Sequence, residues 1–236
     1  MDLQSKWQIF MQDRGDGVTY VDWVLSAWGW TLSIAACAWV LALLVGFLIG
    51  TLRTVPSKPL QWFSNAWVEL FRNIPLLVQI FLWYQVLPSM FPALQQVPVF
   101  ALVVLALGLF TSARVAEQVR AGIQSLPRGQ FMAGSAIGLT RPQTYRYVIL
   151  PMASRIVLPP LTSEAMNIIK NSSVAFAAGI AELALYAQQA GVELSMEVEV
   201  YLVVSVLYAV SAFGVNRAMA FIEARVRVPG YVGGSK

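Results

Sequence analysis

Long apolar runs separated by short, arginine-rich segments dominate this chain. Residues 23–52 hold no charged side chain, and residues 73–113 form a second uncharged stretch of 41 residues. A helix needs roughly 20 mostly apolar residues to cross the hydrocarbon core of a bilayer. The first run therefore predicts one crossing, at about 27–51. The second is too long for one, and Pro88, Pro92 and Pro98 break it into two, at about 66–88 and 97–117, with Glu69 and Arg72 accepted at the start of the former. A fourth crossing is predicted at about 156–177, carrying Glu164 and Lys170 inside it, and a fifth at about 200–221. The expected fold class is thus all-α integral membrane, with five transmembrane helices and the two chain ends on opposite sides.

Composition agrees with that pattern: 58% of the 236 residues are hydrophobic, 12% are charged, and the mean hydropathy is +0.64. These values lie outside the soluble globular norm. Acidic residues at Asp2, Asp13, Asp16 and Asp22 argue against a basic cleaved leader. Lys and Arg stay on the cytoplasmic side of a membrane. Arg53 and Lys58 follow the first crossing, six arginines lie between the third and fourth, and Arg217, Arg225, Arg227 and Lys236 close the chain. The opposite segments carry few basic residues, and Glu182, Glu193, Glu197 and Glu199 fall between the last two crossings. The expected organisation is an external segment 1–22, a membrane domain 23–222 and a cytoplasmic tail 223–236. Trp23, Trp28, Trp30, Trp83 and Tyr84 near outer ends, with Trp62 and Trp67 near an inner end, suit interfacial belts. The net charge of +4 is accounted for by flanks facing anionic lipid, with no nucleic acid implied. One cysteine, Cys37, and no histidine make a disulfide, a zinc site or a histidine-based catalytic dyad implausible.

The polar segment 118–155 has its own punctuation. A turn at Leu126-Pro127 opens a helix at about 129–137, which Gly138 should end in a left-handed conformation. Thr140 and Gln143 have capping-box spacing, with Pro142 in the first turn, and Pro151 is expected to stop the helix they start. This helix–turn–helix carries Phe131, Met132, Ile137 and Leu139 among its arginines. Two readings stand: an amphipathic connector on the membrane surface, and a docking element for a soluble partner.

Inside the membrane, Lys170 is the sharpest signal, since a Lys at a helix centre costs roughly 2.5–3.5 kcal/mol on insertion scales. At about 1.5 Å rise per residue it lies about 21 Å from Ile156, in the outer half of the bilayer. Ser163, Asn167 and Lys170 follow i, i+4, i+7 and share a helical face, with Asn171 beside them. That face is expected to line an interior, either as a substrate path or as a contact with a neighbouring subunit or carbonyl. Glu164 faces away from Lys170 and must find another partner. Arg114, Glu117 and Arg120 recur every three residues, which permits local ion pairs, read either as a snorkelling structural cluster or as an inner gate. Gly46 and Gly50 have small-xxx-small spacing for close helix packing.

Three ordered motifs carry a resemblance. The run from Glu69 through Arg72-Asn73 and Pro75 to Gln79, the stretch from Arg120 to Gln130 followed by Gly138-Leu139 and Tyr145–Pro151, and Lys170-Asn171-Ser172-Ser173 resemble permease subunits of polar amino acid ABC importers over about 50–230. Arg53-Thr-Val-Pro56, Ser112–Arg120 and Arg225–Gly230 are most similar to the glutamate/aspartate branch of that family. The resemblance implies type I ABC importer permease architecture, a bacterial inner-membrane location and a cytoplasmic coupling loop. Gly129, Gln130, Met132, Ala133, Gly138 and Leu139 would engage the ATPase through that loop. It further implies a second permease, a dimer of ATP-binding cassette subunits and an external amino acid-binding protein as partners. The family's loop carries a Glu-Ala-Ala triplet where this chain has Met132-Ala133-Gly134.

Nothing in the chain resembles a phosphate-binding Gly-x-x-x-x-Gly-Lys loop, so the permease itself is expected to hold no cofactor, with ATP bound by the partner. A stand-alone secondary carrier or channel is the alternative, disfavoured by the lack of an internal repeat and by the elaborate loop. A membrane-embedded enzyme would need convergent acid, base or metal groups, which the scattered acids do not supply. The topology is tested by reporter fusions placed after Lys6 and at the carboxyl terminus. They are expected to report opposite sides of the membrane, with the amino terminus outside, and finding both on one side would remove the five-span reading.

Overall fold

The structure, a computed structural model, describes residues 7–15 and 17–226. Lys6, Asp16, Arg227, Pro229, Gly230 and Lys236, invoked above, lie outside them. The described chain is helical: α1 (Tyr20–Leu52), α2 (Lys58–Asn73), α3 (Leu76–Met90), α4 (Val99–Gln124), α5 (Arg128–Ala136), α6 (Arg141–Ala178), α7 (Leu183–Leu194) and α8 (Glu197–Val226). α1, α4 and α8 are each long and apolar enough to cross a membrane, and two further crossings result if α2 with α3, and α6 with α7, each count as one interrupted span.

Several boundaries differ from expectation, and prolines explain most of them. The crossing expected over 66–88 is divided: α2 ends at Asn73, and Ile74 takes an extended conformation (φ −93, ψ 127) because the residue before Pro75 is excluded from the helical region. Pro151 does not stop its helix. Tyr145–Ile149 forms a π-helical turn, closed by a Leu150 N–H to Tyr145 C=O bond, and the helix continues to Asn171. The same device precedes Pro88, with π-helix at Leu82–Val86 and a Leu87 N–H to Leu82 C=O bond. A proline ring clashes with the carbonyl four residues earlier, and the wider π turn moves that carbonyl aside.

The chain divides into two compact units. One comprises the described residues up to Ala38, Leu76–Leu107 and Ile168–Ala212. Tyr20, Val24, Ala27, Leu183, Tyr186, Ala187, Ala190, Val200 and Val204 form its main apolar cluster. A buried acid sits beside that cluster. Glu182 caps α7, its Oε1 accepting from the Ala184 and Leu185 N–H groups at 2.9 and 3.0 Å, while the Tyr208 hydroxyl donates to Oε2 at 2.8 Å. Thr31 completes the tie, its Oγ1 accepting from the Leu183 N–H at 3.1 Å. The sequence reading counts Glu182 only among the outer acids; capping and burial explain why an acid stands there. α1 itself starts on a reciprocal pair, with the Asp22 N–H donating to Thr19 Oγ1 at 3.1 Å and the Thr19 N–H donating to Asp22 Oδ2 at 3.2 Å.

The second unit comprises Trp39–Pro75, Gly108–Asn167 and the described residues from Phe213. Ala42, Val115, Val119, Ile123, Ile149, Ala153, Val157 and Leu161 form its core. Here the Gly46/Gly50 spacing has a physical reason. A Cβ at Gly46 would lie 2.5 Å from the Val115 side chain, and one at Gly50 would lie 2.7 Å from the Ala116 carbonyl oxygen, so α1 and α4 are in backbone contact through these positions.

Candidate functional site

α5 is joined by a tight turn to the start of α6, within the segment expected to hold a helix–turn–helix over 129–151. α5 ends in a Schellman turn: the Leu139 N–H donates to the Gly134 carbonyl at 3.0 Å, the Gly138 N–H donates to Ser135 at 3.1 Å, and Gly138 has φ +81. Only glycine takes that conformation without strain. Gln143 Oε1 accepts from the Thr140 N–H at 2.8 Å, which caps the next helix. Phe131 packs edge-on against Tyr145 at 5.8 Å between ring centroids, and the Tyr145 hydroxyl donates to the Thr54 carbonyl at 3.0 Å. The pair is therefore tied to the turn that follows α1. Gln130 is half-buried in the first turn of α5 and Gly129 is exposed. Met132 (70%), Ala133 and Ile137 (75%) are exposed, and Leu139 is half-buried. The turn thus carries exposed apolar side chains.

Gly134 resolves part of the Met132-Ala133-Gly134 departure. It is buried, and a Cβ there would meet Thr144 Cγ2 at 2.7 Å and Oγ1 at 2.8 Å. A larger residue at one of the two positions requires a smaller one at the other. A groove of about 740 Å³ runs beside this contact, lined by residues including Thr54, Phe131, Met132, Arg141 and Tyr145.

The three charged residues of α4 do not pair among themselves, contrary to the spacing argument. Glu117 instead accepts from Arg72 Nη1 at 2.6 Å, and Arg114 Nη1 lies 3.8 Å from Glu164 Oε2. Glu164 thereby finds the partner its position demanded. Arg114 also stands 5.3 Å from the centre of the Phe110 ring. Pairs between helices win here because a local i,i+3 pair is worth only about 0.2–0.5 kcal/mol, less than leaving a shielded carboxylate alone. The Arg120 Nε is buried and has no hydrogen-bond partner among the described residues.

α6 stays helical from Leu150 to Asn171, although Pro159 and Pro160 inside it have no N–H to give to the ladder, and this keeps the 163, 167, 170 spacing. Ser163 and Lys170 are exposed, and Asn167 and Asn171 are half-buried. Lys170 forms no ion pair among the described residues. It lies in the last α-helical turn, where the macrodipole favours a cation, before Ser172–Ala178 tightens to 3-10 helix.

Comparison with known proteins adds the following. The model of the family described as binding-protein-dependent transport system inner membrane component matches residues 42–228. The glutamate/aspartate import permease protein GltJ of Escherichia coli strain K12 is 43% identical over 248 residues, covering 99% of this chain and 100% of the relative. The probable glutamine ABC transporter permease protein GlnM of Bacillus subtilis strain 168 is 34% identical over 196 residues, covering 83% of this chain and 89% of the relative. A crystal structure of an amino acid ABC transporter with histidines contains a chain 28% identical to this one, with a TM-score of 0.78, covering 95% of this chain and 99% of that one.

The Gly134 contact is directly testable. Gly134→Ala is expected to destabilise the loop by about 1–3 kcal/mol through overpacking, read as faster limited proteolysis between α5 and α6 in membranes. Adding Thr144→Ala, which removes both the facing methyl and the facing hydroxyl, is expected to bring the rate back toward the original. Equal proteolysis in the parent and in Gly134→Ala would mean that the contact does not constrain the loop.

Proposed function

The chain belongs to the family of binding-protein-dependent transport system inner membrane components, and on that premise we propose that it translocates glutamate or aspartate in an ATP-driven importer. Identity of 43% over the full length to a glutamate/aspartate import permease carries this substrate assignment. The chain is a multi-pass membrane subunit, and ATP hydrolysis falls to a separate subunit.

Five crossings place the amino terminus outside and the α5–α6 turn in the cytoplasm of a bacterium, in its inner membrane. The exposed Met132, Ala133 and Ile137 surface, with Gly129, Gln130, Gly138 and Leu139 shaping it, receives force from a dimer of ATP-binding cassette subunits that hold the ATP. A second permease completes the pore, and an external binding protein delivers the amino acid. Ser163, Asn167, Lys170 and Asn171 line the path, where the Lys170 ammonium attracts a substrate carboxylate. Arg114, Glu117 and Arg120 serve as an inner charged cluster; because Glu164 and Arg72, the partners of Arg114 and Glu117, lie on other helices, helix movement can break these two pairs. A stand-alone carrier has no use for a capped, partly apolar loop of this kind.

Two substitutions test the separate halves of this proposal in reconstituted membranes. Gly138→Val adds roughly 1–2 kcal/mol of left-handed strain and turns α5 against α6. The variant is expected to insert and assemble with its partner permease, yet to lose ATPase association or substrate-stimulated hydrolysis. Unchanged values for both would reduce the loop to a connector on the membrane surface. Lys170→Met is expected to insert normally and to lower uptake of an acidic amino acid about 10-fold or more at limiting substrate, the worth of one charged hydrogen bond. Equal uptake would assign Lys170 to subunit packing instead.

A further inference from the structure

A charged cleft at the end of α1 joins Arg53 to Glu117 and Arg120 of the inner cluster. Arg53 directly follows the charge-free α1, and with Glu117, Arg120, Ala121 and Gln124 it lines a cleft of about 180 Å³. Arg53 Nε donates to Asn65 Oδ1 at 2.8 Å, which fixes the guanidinium plane. Its Nη1, like the Arg120 Nε, is buried without a hydrogen-bond partner among the described residues. Unsatisfied buried donors are uncommon in folded proteins and need a reason. Burial, and after it the Arg120 charge, lowers the Arg53 pKa from its ordinary value; Arg72 adds to this, and Glu117 and Glu69 oppose it. Arginine stays protonated despite such a shift. The charges around the cleft are therefore three arginines, at 53, 72 and 120, against two glutamates, at 69 and 117, and Arg72 is already engaged by Glu117. One positive charge is left over, on two guanidinium groups that still have hydrogen bonds to give.

The adjoining helix indicates where this surplus lies. On α2, Leu60, Phe63 and Leu70 fall on one face and are exposed, while Trp67 at its edge packs against α4, its Nε1 donating to Ser112 Oγ at 3.2 Å. Gln61, Asn65, Glu69 and Arg72 fall on the other. A helix with exposed apolar side chains on one side and charged ones on the other lies in the plane of a membrane interface, apolar side toward the acyl chains, so α2 leads along the surface into the crossing that α3 makes. Asn65 and Arg72, which hold Arg53 and Glu117, then stand at the level of the lipid headgroups.

We propose that the Arg53–Arg120 cleft binds the phosphodiester of an anionic phospholipid headgroup, with α2 resting on the acyl chains of the same leaflet. The charge matches: a phosphodiester carries one negative charge, whereas a free phosphate or phosphomonoester carries about 1.5 to 2 at neutral pH. Arginine forks suit phosphate oxygens, and basic pockets beside membrane helices are a recurrent way to hold lipid headgroups. The site requires only that α1 spans a bilayer. The leaflet, but not the site, rests on the orientation proposed above.

The test uses the intact transporter, purified with the subunits that accompany it, stripped of lipid and titrated with phosphatidylglycerol or phosphatidylcholine under native mass spectrometry. Phosphatidylglycerol is expected to be retained in preference, and Arg53→Gln with Arg120→Gln to lower its retention about 10-fold or more, with phosphatidylcholine unaffected. Arg128→Gln, a charge removal on the exposed loop, is expected to leave retention unchanged. Should the double variant fail to assemble, Arg120→Gln alone is expected to show a partial loss. Retention unchanged in these variants, or an equal loss in Arg128→Gln, would overturn the proposal. So would abolition of the lipid preference by millimolar inorganic phosphate or by glutamate, either of which would identify a site for soluble anions. Uptake measured in phosphatidylcholine alone reports on the transport assignment independently of this lipid site.

Discussion

In a bilayer each backbone N–H and C=O must be satisfied by the protein itself, because the hydrocarbon core offers no water. This constraint explains the helices and, more usefully, how the chain handles their interruptions. Pro88 and Pro151 are each preceded by a π turn that closes its own bonds before the ring is reached. The 3-10 segment Ser172–Ala178 ends at Gly179 in the left-handed conformation, and the next helix opens on the buried Glu182 cap. A break in such a chain comes with its repair, and the repair recruits residues from elsewhere, as Thr31 and Tyr208 are recruited to Glu182.

The same economy governs the charged groups. Glu117 and Glu164 each meet an arginine from another helix or from the far end of a long side chain's reach, at 2.6 and 3.8 Å. Such partly exposed pairs contribute about 0–1 kcal/mol, so they stabilise the fold little. They are correspondingly cheap to break. Arg53 and Arg120 stand apart from this pattern, since each keeps a buried donor with no partner among the described residues.

The loop shows how substitution at one position is absorbed at another. Gly138 keeps the left-handed turn and Thr140 with Gln143 keeps the cap, both readable from residue type alone. Gly134 is different. Its lack of a side chain makes sense only beside Thr144, ten positions on, and the proximity of the two is a product of the Schellman turn between them.

Sequence by itself determined the membrane class, the apolar helices, the arginine asymmetry, the Gly138 turn and the family. Each follows from local composition, from one-residue conformational preference or from ordered motifs. The interruptions were partly legible, because proline and glycine announce that a helix must change. Whether the change is an end, as at Asn73, or a π turn, as before Pro151, depends on what packs around the segment. Tertiary structure alone decided the partners of Glu117 and Glu164, the burial of Glu182 and the surplus donors at Arg53 and Arg120. Those outcomes join residues far apart in the chain, and a spacing rule that works within one helix carries no information about which side chain a neighbouring helix brings alongside.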